Sequence, residues 1–232
     1  MCEDWGWVHP KGRWGALVRC VCKREQDLQE RQARLLKHCN LPRKREGKTL
    51  ESYQTRGHAC LDQALKYARA MAAGDEAVIF LTLVGQSDVG KSHLAIGVCR
   101  QWLERQQAAH YVNVPRMLND LREGYARDAE RSFDSRLKFY SEVGLLILDD
   151  LGTQKVSEWG AEQLQTVINA RYEEALHTVV TTNRPIDDLF NWTDNRQESW
   201  REFANMRVAS RLQRESWCQV VLMDVPPYVG GS

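Results

Sequence analysis

The octapeptide Gly85-Gln86-Ser87-Asp88-Val89-Gly90-Lys91-Ser92 fits the pattern G-x-x-x-x-G-K-[ST]. A loop of successive backbone N–H groups wraps a polyphosphate, and a helix opening directly after it points its positive dipole end at the same charge. Lys91 would neutralise the β- and γ-phosphates, and the Ser92 hydroxyl would ligate Mg²⁺. Gly85 to Ser92, followed by His93, form the expected nucleotide-binding set. A second pattern, Leu145-Leu146-Ile147-Leu148-Asp149-Asp150, is an apolar strand ending in two acids. Carboxylates at the C-terminal end of a parallel strand lie at the ligand edge of such a sheet. Asp149 is expected to hold the Mg²⁺ through water, and Asp150 to orient and polarise the attacking water. A third, Thr178-Val179-Val180-Thr181-Thr182-Asn183-Arg184-Pro185, ends in an amide that could position that water against the γ-phosphate. The plainer readings are a strand capped by solvated acids and a turn residue at Asn183. The first loses most of its force once a phosphate loop precedes the acids.

These groups meet only if strands alternate with helices, and the pattern does alternate. A helix is expected at 59–73, then a buried-type strand at 78–84 running into Gly85, and a helix at 91–107. A strand at 110–114 follows, with a helix opening at Pro115, a favoured first helical position. Further strands are expected at 145–148, 178–182 and 219–223, with a helix at 157–175 between the first two. Short apolar strands separated by helices predict an α/β fold, with a parallel sheet covered on both faces. The polar, Trp-bearing stretch 186–205 reads as a short helix and a loop. Upstream, Leu28, Leu35 and Leu36 predict a short amphipathic helix at 23–39, ended by Pro42. The basic run Arg43-Lys44-Arg45-Glu46-Gly47 marks the expected boundary between a basic N-terminal module, 1–47, and a nucleotide-binding domain, 48–232.

The chain's 232 residues suit one full domain plus something smaller. Apolar residues make up 43% and charged residues 27%, enough apolar material for a real core. The longest nearly unbroken apolar run, 77–84, is far short of the ~20 residues a membrane helix needs. The first residues carry neither a basic n-region nor an apolar h-region, which argues against secretion and for a cytoplasmic protein. Seven cysteines, an odd number, suggest thiols or metal ligands rather than a disulfide scaffold. The net charge of +1 hides an asymmetry: residues 1–48 hold 12 Lys/Arg against 6 Asp/Glu, and the rest is net negative. A basic first fifth suggests an anionic partner such as nucleic acid. The alternative is a solvated basic face.

The order of phosphate loop, Asp-Asp strand, Thr-Thr-Asn strand and Ser210-Arg211-Leu212 resembles the AAA+ ATPases, specifically the bacterial and phage replicative helicase loaders of the DnaC/DnaI type. Gly90-Lys91-Ser92-His93-Leu94-Ala95, Leu148-Asp149-Asp150-Leu151-Gly152, Ala170-Arg171-Tyr172-Glu173 and Arg207-Val208-Ala209-Ser210-Arg211-Leu212 carry the detail. The resemblance implies a five-stranded parallel sheet of order 5-1-4-3-2 with little or no C-terminal lid. It implies ATP and Mg²⁺ as cofactors and Arg211 as an arginine finger acting on a neighbour's ATP, with Arg207 in reserve. The implied partners are a replicative DNA helicase, single-stranded DNA and further copies of the chain in an ATP-dependent homo-oligomer. Transposition helpers of the IstB type share these motifs and are the alternative. A Cys-bearing N-terminal segment favours the loaders, because the helpers usually begin with a helical domain.

Asp88 departs from the pattern, standing where these proteins usually carry another glycine. It tolerates left-handed backbone geometry, yet adds negative charge beside the phosphates. It is the one hint of a third reading, a nucleotide-gated adaptor that does not hydrolyse. Several loaders also carry a small zinc module, which makes Cys2, Cys20 and Cys22 candidate Zn²⁺ ligands. A closed tetrahedral site needs a fourth. Either His9 supplies it, or the translation start lies upstream of Met1, and the family's spacing favours the second. Cys39, Cys60, Cys99 and Cys218 read as small packed hydrophobes.

Overall fold

The computed structural model describes residues 7–8, 15, 17–42, 47–126, 130–153, 155–190 and 199–228. Two short strands, β1 (Trp7–Val8) and β2 (Val18–Arg19), pair antiparallel and lead into helix α1 (Val21–Cys39). Helix α2 (Ala59–Ala73) ends at Gly74, whose φ of 72° is left-handed. The Asp75 N–H closes back on the Ala70 carbonyl there, and a Cβ at Gly74 would strike the Arg105 guanidinium at 2.6 Å. Glycine meets both demands.

From there the chain alternates: β3 (Phe80–Val84), α3 (Lys91–Glu104), β4 (Ala109–Asn113), α4 (Val114–Ala126), α5 (Glu130–Glu142), β5 (Leu145–Leu151), α6 (Glu158–Glu173) and β6 (His177–Thr182). A 3₁₀ turn (Ile186–Asp188), α7 (Ser199–Gln213) and β7 (Cys218–Leu222) complete it. Five strands form one parallel sheet in the order β4-β5-β6-β3-β7. Counted along the chain from β3, and read from the β7 edge, that is the expected 5-1-4-3-2.

Period-2 alternation feeds two cores. Leu81, Leu83, Leu145 and Ile147 face a cluster closed by α2, α3 and the end of α1. Phe80, Leu146 and Leu148 face a second cluster, built with residues of α4, α6 and α7. This is why the strands read as continuous apolar runs. Among the cysteines, Cys39, Cys99 and Cys218 are buried and Cys60 is half-buried. Cys39 Sγ lies 3.0 Å from Cys99 Sγ, so the end of α1 is part of the first core. Asn40 Nδ2 also donates to the Tyr111 carbonyl of edge strand β4, at 3.1 Å.

Three elements differ from the expectation. Helix α5 has no counterpart in the sequence reading; Phe133, Leu137 and Tyr140 anchor it on the second core. The stretch 186–205 holds the 3₁₀ turn and the first turns of a longer helix, α7, whose Ala204, Val208 and Leu212 are buried at four-residue spacing. Residues 191–198 lie outside the described set. Strand β5 runs three residues beyond 148, with a register shift against β6 between Leu148 and Leu151. Ser157 caps α6, its hydroxyl accepting from the Gly160 N–H. Among the described residues, no helix is long and apolar enough to cross a membrane.

Candidate nucleotide site

The loop from Gly85 to Gly90 joins β3 to α3 at the C-terminal edge of the sheet. Its start is fixed by contact: a Cβ at Gly85 would lie 2.7 Å from the Met223 carbonyl oxygen. Val89 is buried in the first core and anchors the loop from below. Asp88 and Gly90 both take positive φ, 61° and 106°. Asp88 thus occupies the glycine-like geometry that its position demands, and its carbonyl accepts the Tyr228 N–H at 2.7 Å.

Lys91 reaches back over this loop and donates to the Gly85 and Gln86 carbonyls at 2.8 and 2.5 Å. Burial lowers its pKa, opposed by the nearby carboxylates of Asp149, Asp150 and Asp88. A partly desolvated ammonium held by two neutral carbonyls can exchange them for phosphate oxygens at small cost.

Asp149 is 6% exposed and collects hydroxyls. Ser92 Oγ and Thr181 Oγ1 donate to its Oδ1 at 3.0 and 2.6 Å, and the Tyr111 hydroxyl donates to Oδ2. With its proton committed to Asp149, Ser92 Oγ keeps its lone pairs for a cation. Hard oxygen donors of this kind suit Mg²⁺. Asp150 is less buried and sits at φ 68°, at the irregularity of β5, with its N–H bonded to Thr181 Oγ1 at 2.9 Å. At the shift in register two consecutive acids meet different surroundings, Asp149 buried among hydroxyls and Asp150 only partly buried.

Asn183 lies at the same edge, its Nδ2 donating to Ser87 Oγ at 3.4 Å. His93 is half-buried, its Nε2–H donating to the Thr49 carbonyl at 2.9 Å. Its ring meets Tyr53 edge-on at 5.2 Å, and burial lowers its pKa. Beside the loop is a cavity of about 420 Å³, walled by Asp88–His93 on one side and by Tyr53, Arg56 and Tyr228 on others. Tyr53 packs on Gly90, where a Cβ would come within 2.8 Å of its ring. Its hydroxyl is buried with no hydrogen-bond partner among the described residues. Burial pushes this phenol up to about 12, so it stays a neutral donor. A cavity of this size beside a phosphate cradle, with an orphaned hydroxyl, fits a nucleoside.

Sequence reasoning missed this second wall. Tyr53, Arg56 and Tyr228 belong to segments joined to the loop only by the fold, and no local pattern marks them. Thr181 and Tyr111 were missed as donors to Asp149, although Thr181 lies inside the strand motif already singled out.

Arg211 lies elsewhere. Its Nε donates to Asn169 Oδ1 at 3.0 Å, and its guanidinium sits 4.9 Å from the centre of the Tyr172 ring. With Arg207, Ser210 and Gln165 it lines a separate surface cavity of about 520 Å³, to which no residue of the phosphate loop contributes. At the N-terminus, Cys20 and Cys22 bring their sulfurs within 3.2 Å where β2 gives way to α1. Cys2 and His9 lie outside the described residues, and among those described no three His, Cys, Asp or Glu side chains group as a metal site. Two thiols alone do not close a tetrahedral zinc site.

Comparison with known proteins agrees with the loop chemistry. The family described as IstB-like ATP binding protein matches residues 14–199. The ATP-binding protein of insertion sequence IS5376 from Geobacillus stearothermophilus is 27% identical over 69% of this chain and 62% of its own. The chromosomal replication initiator DnaA of Gloeobacter violaceus is 34% identical over 45% of this chain and 24% of its own. The chain thus spans less than two thirds of the length of either relative. The crystal structure of the DnaC helicase loader superposes with a TM-score of 0.61 at 22% identity, covering 78% of this chain and 99% of that one. The AAA+ type of P-loop fold is shared. By sequence, the chain belongs to the family of IstB-like ATP-binding proteins.

Proposed function

We propose that the chain is an ATP-hydrolysing loader that assembles on single-stranded DNA and delivers a replicative DNA helicase to it. The observation that carries this reading is that the phosphate-loop residues and Arg211 line different cavities. Lys91, Ser92, Asp149, Asp150 and Asn183 gather at the C-terminal edge of the sheet, whereas Arg211 lines a cavity to which none of them contributes. If Arg211 is the arginine that stabilises charge on the transferring phosphoryl group, it acts from a second copy. Turnover depends on assembly, as a loader that opens and releases a ring requires. Mg²⁺ would sit at Ser92 and, through water, at Asp149. The Cys20–Cys22 pair at the start of α1 supports an N-terminal module that contacts the helicase, and Cys2, Cys20 and Cys22 are its candidate zinc donors. Zinc analysis of the purified chain and of Cys20→Ser tests that part.

A second reading, an ATP-bound helper of transposition, is favoured by the insertion-sequence relative and by the family match. ATP hydrolysis stimulated by single-stranded DNA is expected on either reading. Co-purification with a replicative helicase in the ATP state supports the loader. Capture of a transposase, with no helicase, would overturn it.

A further inference from the structure

A third cavity, of about 460 Å³, opens where the end of α1 meets β4, α4 and α5, and no residue of the phosphate loop lines it. Three of its walls carry cations: Lys37 from α1, Arg116 from α4 and Arg136 from α5. Its carboxylate, Asp120, is already engaged by an ion pair with Arg136 and by the Tyr140 hydroxyl at 3.0 Å. Lys37 and Arg116 line the same opening, and among the described residues no ion pair engages either. Phe139 lines the same cavity and is 43% exposed. The ring is held rather than loose. It meets His110 edge-on at 4.9 Å and Tyr140 at 5.6 Å. His110 is itself fixed, its Nδ1–H donating to the His38 carbonyl at 2.9 Å.

A rigid, open aromatic face among cations is the chemistry that binds an unpaired base and its phosphates. A peptide anion would use the cations but not the ring, and an apolar ligand would leave the cations unpaired. We infer that this cavity binds a nucleotide unit of single-stranded DNA, the base stacked on Phe139 and the flanking phosphates on Lys37 and Arg116. The assignment rests on the reading that the chain engages single-stranded DNA, and adds where.

The test uses the full chain with Mg–ADP saturating the phosphate loop and a fluorescein-labelled dT20 as probe, followed by anisotropy. Phe139→Leu should weaken dT20 binding about tenfold, the loss of one stacked base. The double variant Lys37→Ala/Arg116→Ala should flatten the dependence of log K on log salt by about 1.4, two phosphate contacts to a single strand. Both should bind ATP like the parent chain, which also shows that they fold. Wild-type affinity and salt dependence in both variants would overturn this site while leaving DNA binding itself intact. Absence of dT20 binding by the parent chain would overturn the site and the loader reading together. Displacement of dT20 by dTMP at equal site concentration would overturn the strand in favour of a free nucleotide.

Discussion

Asp150 takes a left-handed φ at the point where β5 steps past β6, and asparagine is among the residues that tolerate this geometry. Asp150→Asn should therefore keep the loop and the ATP affinity while removing turnover, if Asp150 is the proposed base that polarises water. Lys91→Ala should lose ATP binding outright, because it removes the ammonium that lies over the loop. Titration with a fluorescent nucleotide separates the two, and equal loss in both would refute the division of roles. Asp88 offers the converse case. Its backbone geometry suits asparagine equally, so Asp88→Asn removes one negative charge beside the phosphates and little else. A charge pair at a few ångströms is worth about 1 kcal/mol in high dielectric, so ATP affinity should rise several-fold at low salt, measured by the same titration. A fall in affinity would mean that Asp88 supports Lys91 more than it repels the ligand. At this scale the sequence was most legible where one short stretch carries both backbone geometry and charge, as in Gly85 to Ser92. Tyr111 and Tyr53 were invisible because parallel pairing and a distant loop bring them in.

Arg171, on α6, is fully buried and has no carboxylate partner among the described residues. Its Nε donates to Thr178 Oγ1 at 2.9 Å, and its guanidinium to the carbonyls of Val143 at 2.8 Å, Tyr140 at 3.1 Å and His177 at 2.7 Å. One planar group thus ties α6 to β6 and to the end of α5 and the turn that follows it. Arg171→Ala should destabilise the chain by about 3–5 kcal/mol, leaving a cavity and several buried carbonyls unpaired. Arg171→Lys should recover only part, since a point donor cannot span these acceptors. Urea midpoints measure both, and a shift below about 1 kcal/mol for Arg171→Ala would refute the role. The sequence marked Arg171 only as part of a family resemblance, because nothing local says that an arginine is buried. Strands and most helices were legible through their apolar runs and their caps. Helix α5 was not: its three core-facing residues, Phe133, Leu137 and Tyr140, are interleaved with charge and too few to impose a clear period.

Two cavities on one chain, one with Lys91 and one with Arg211, set up a test of assembly. Lys91→Ala and Arg211→Ala should each abolish turnover alone. Mixed, they can form a junction with an intact loop facing an intact arginine, so part of the ATPase activity should return. No recovery at any ratio, with mixed oligomers demonstrated, would argue against action between copies. The sheet order was legible only through resemblance, since spacing along the chain gives strands but not their neighbours. β4 is an outer strand of the sheet, and Asn40 occupies its Tyr111 carbonyl while Cys39 seals the layer beneath. An uncovered outer strand is a template on which another chain can grow. Removing residues 1–46 should therefore leave a protein that still binds ATP when dilute but self-associates as concentration rises, seen as growing light scatter. A truncated chain that stays monodisperse would show that β4 needs no cover. In that case α1 serves its partners alone; otherwise the basic N-terminal helix is also the guard that keeps this sheet from extending itself into fibrils.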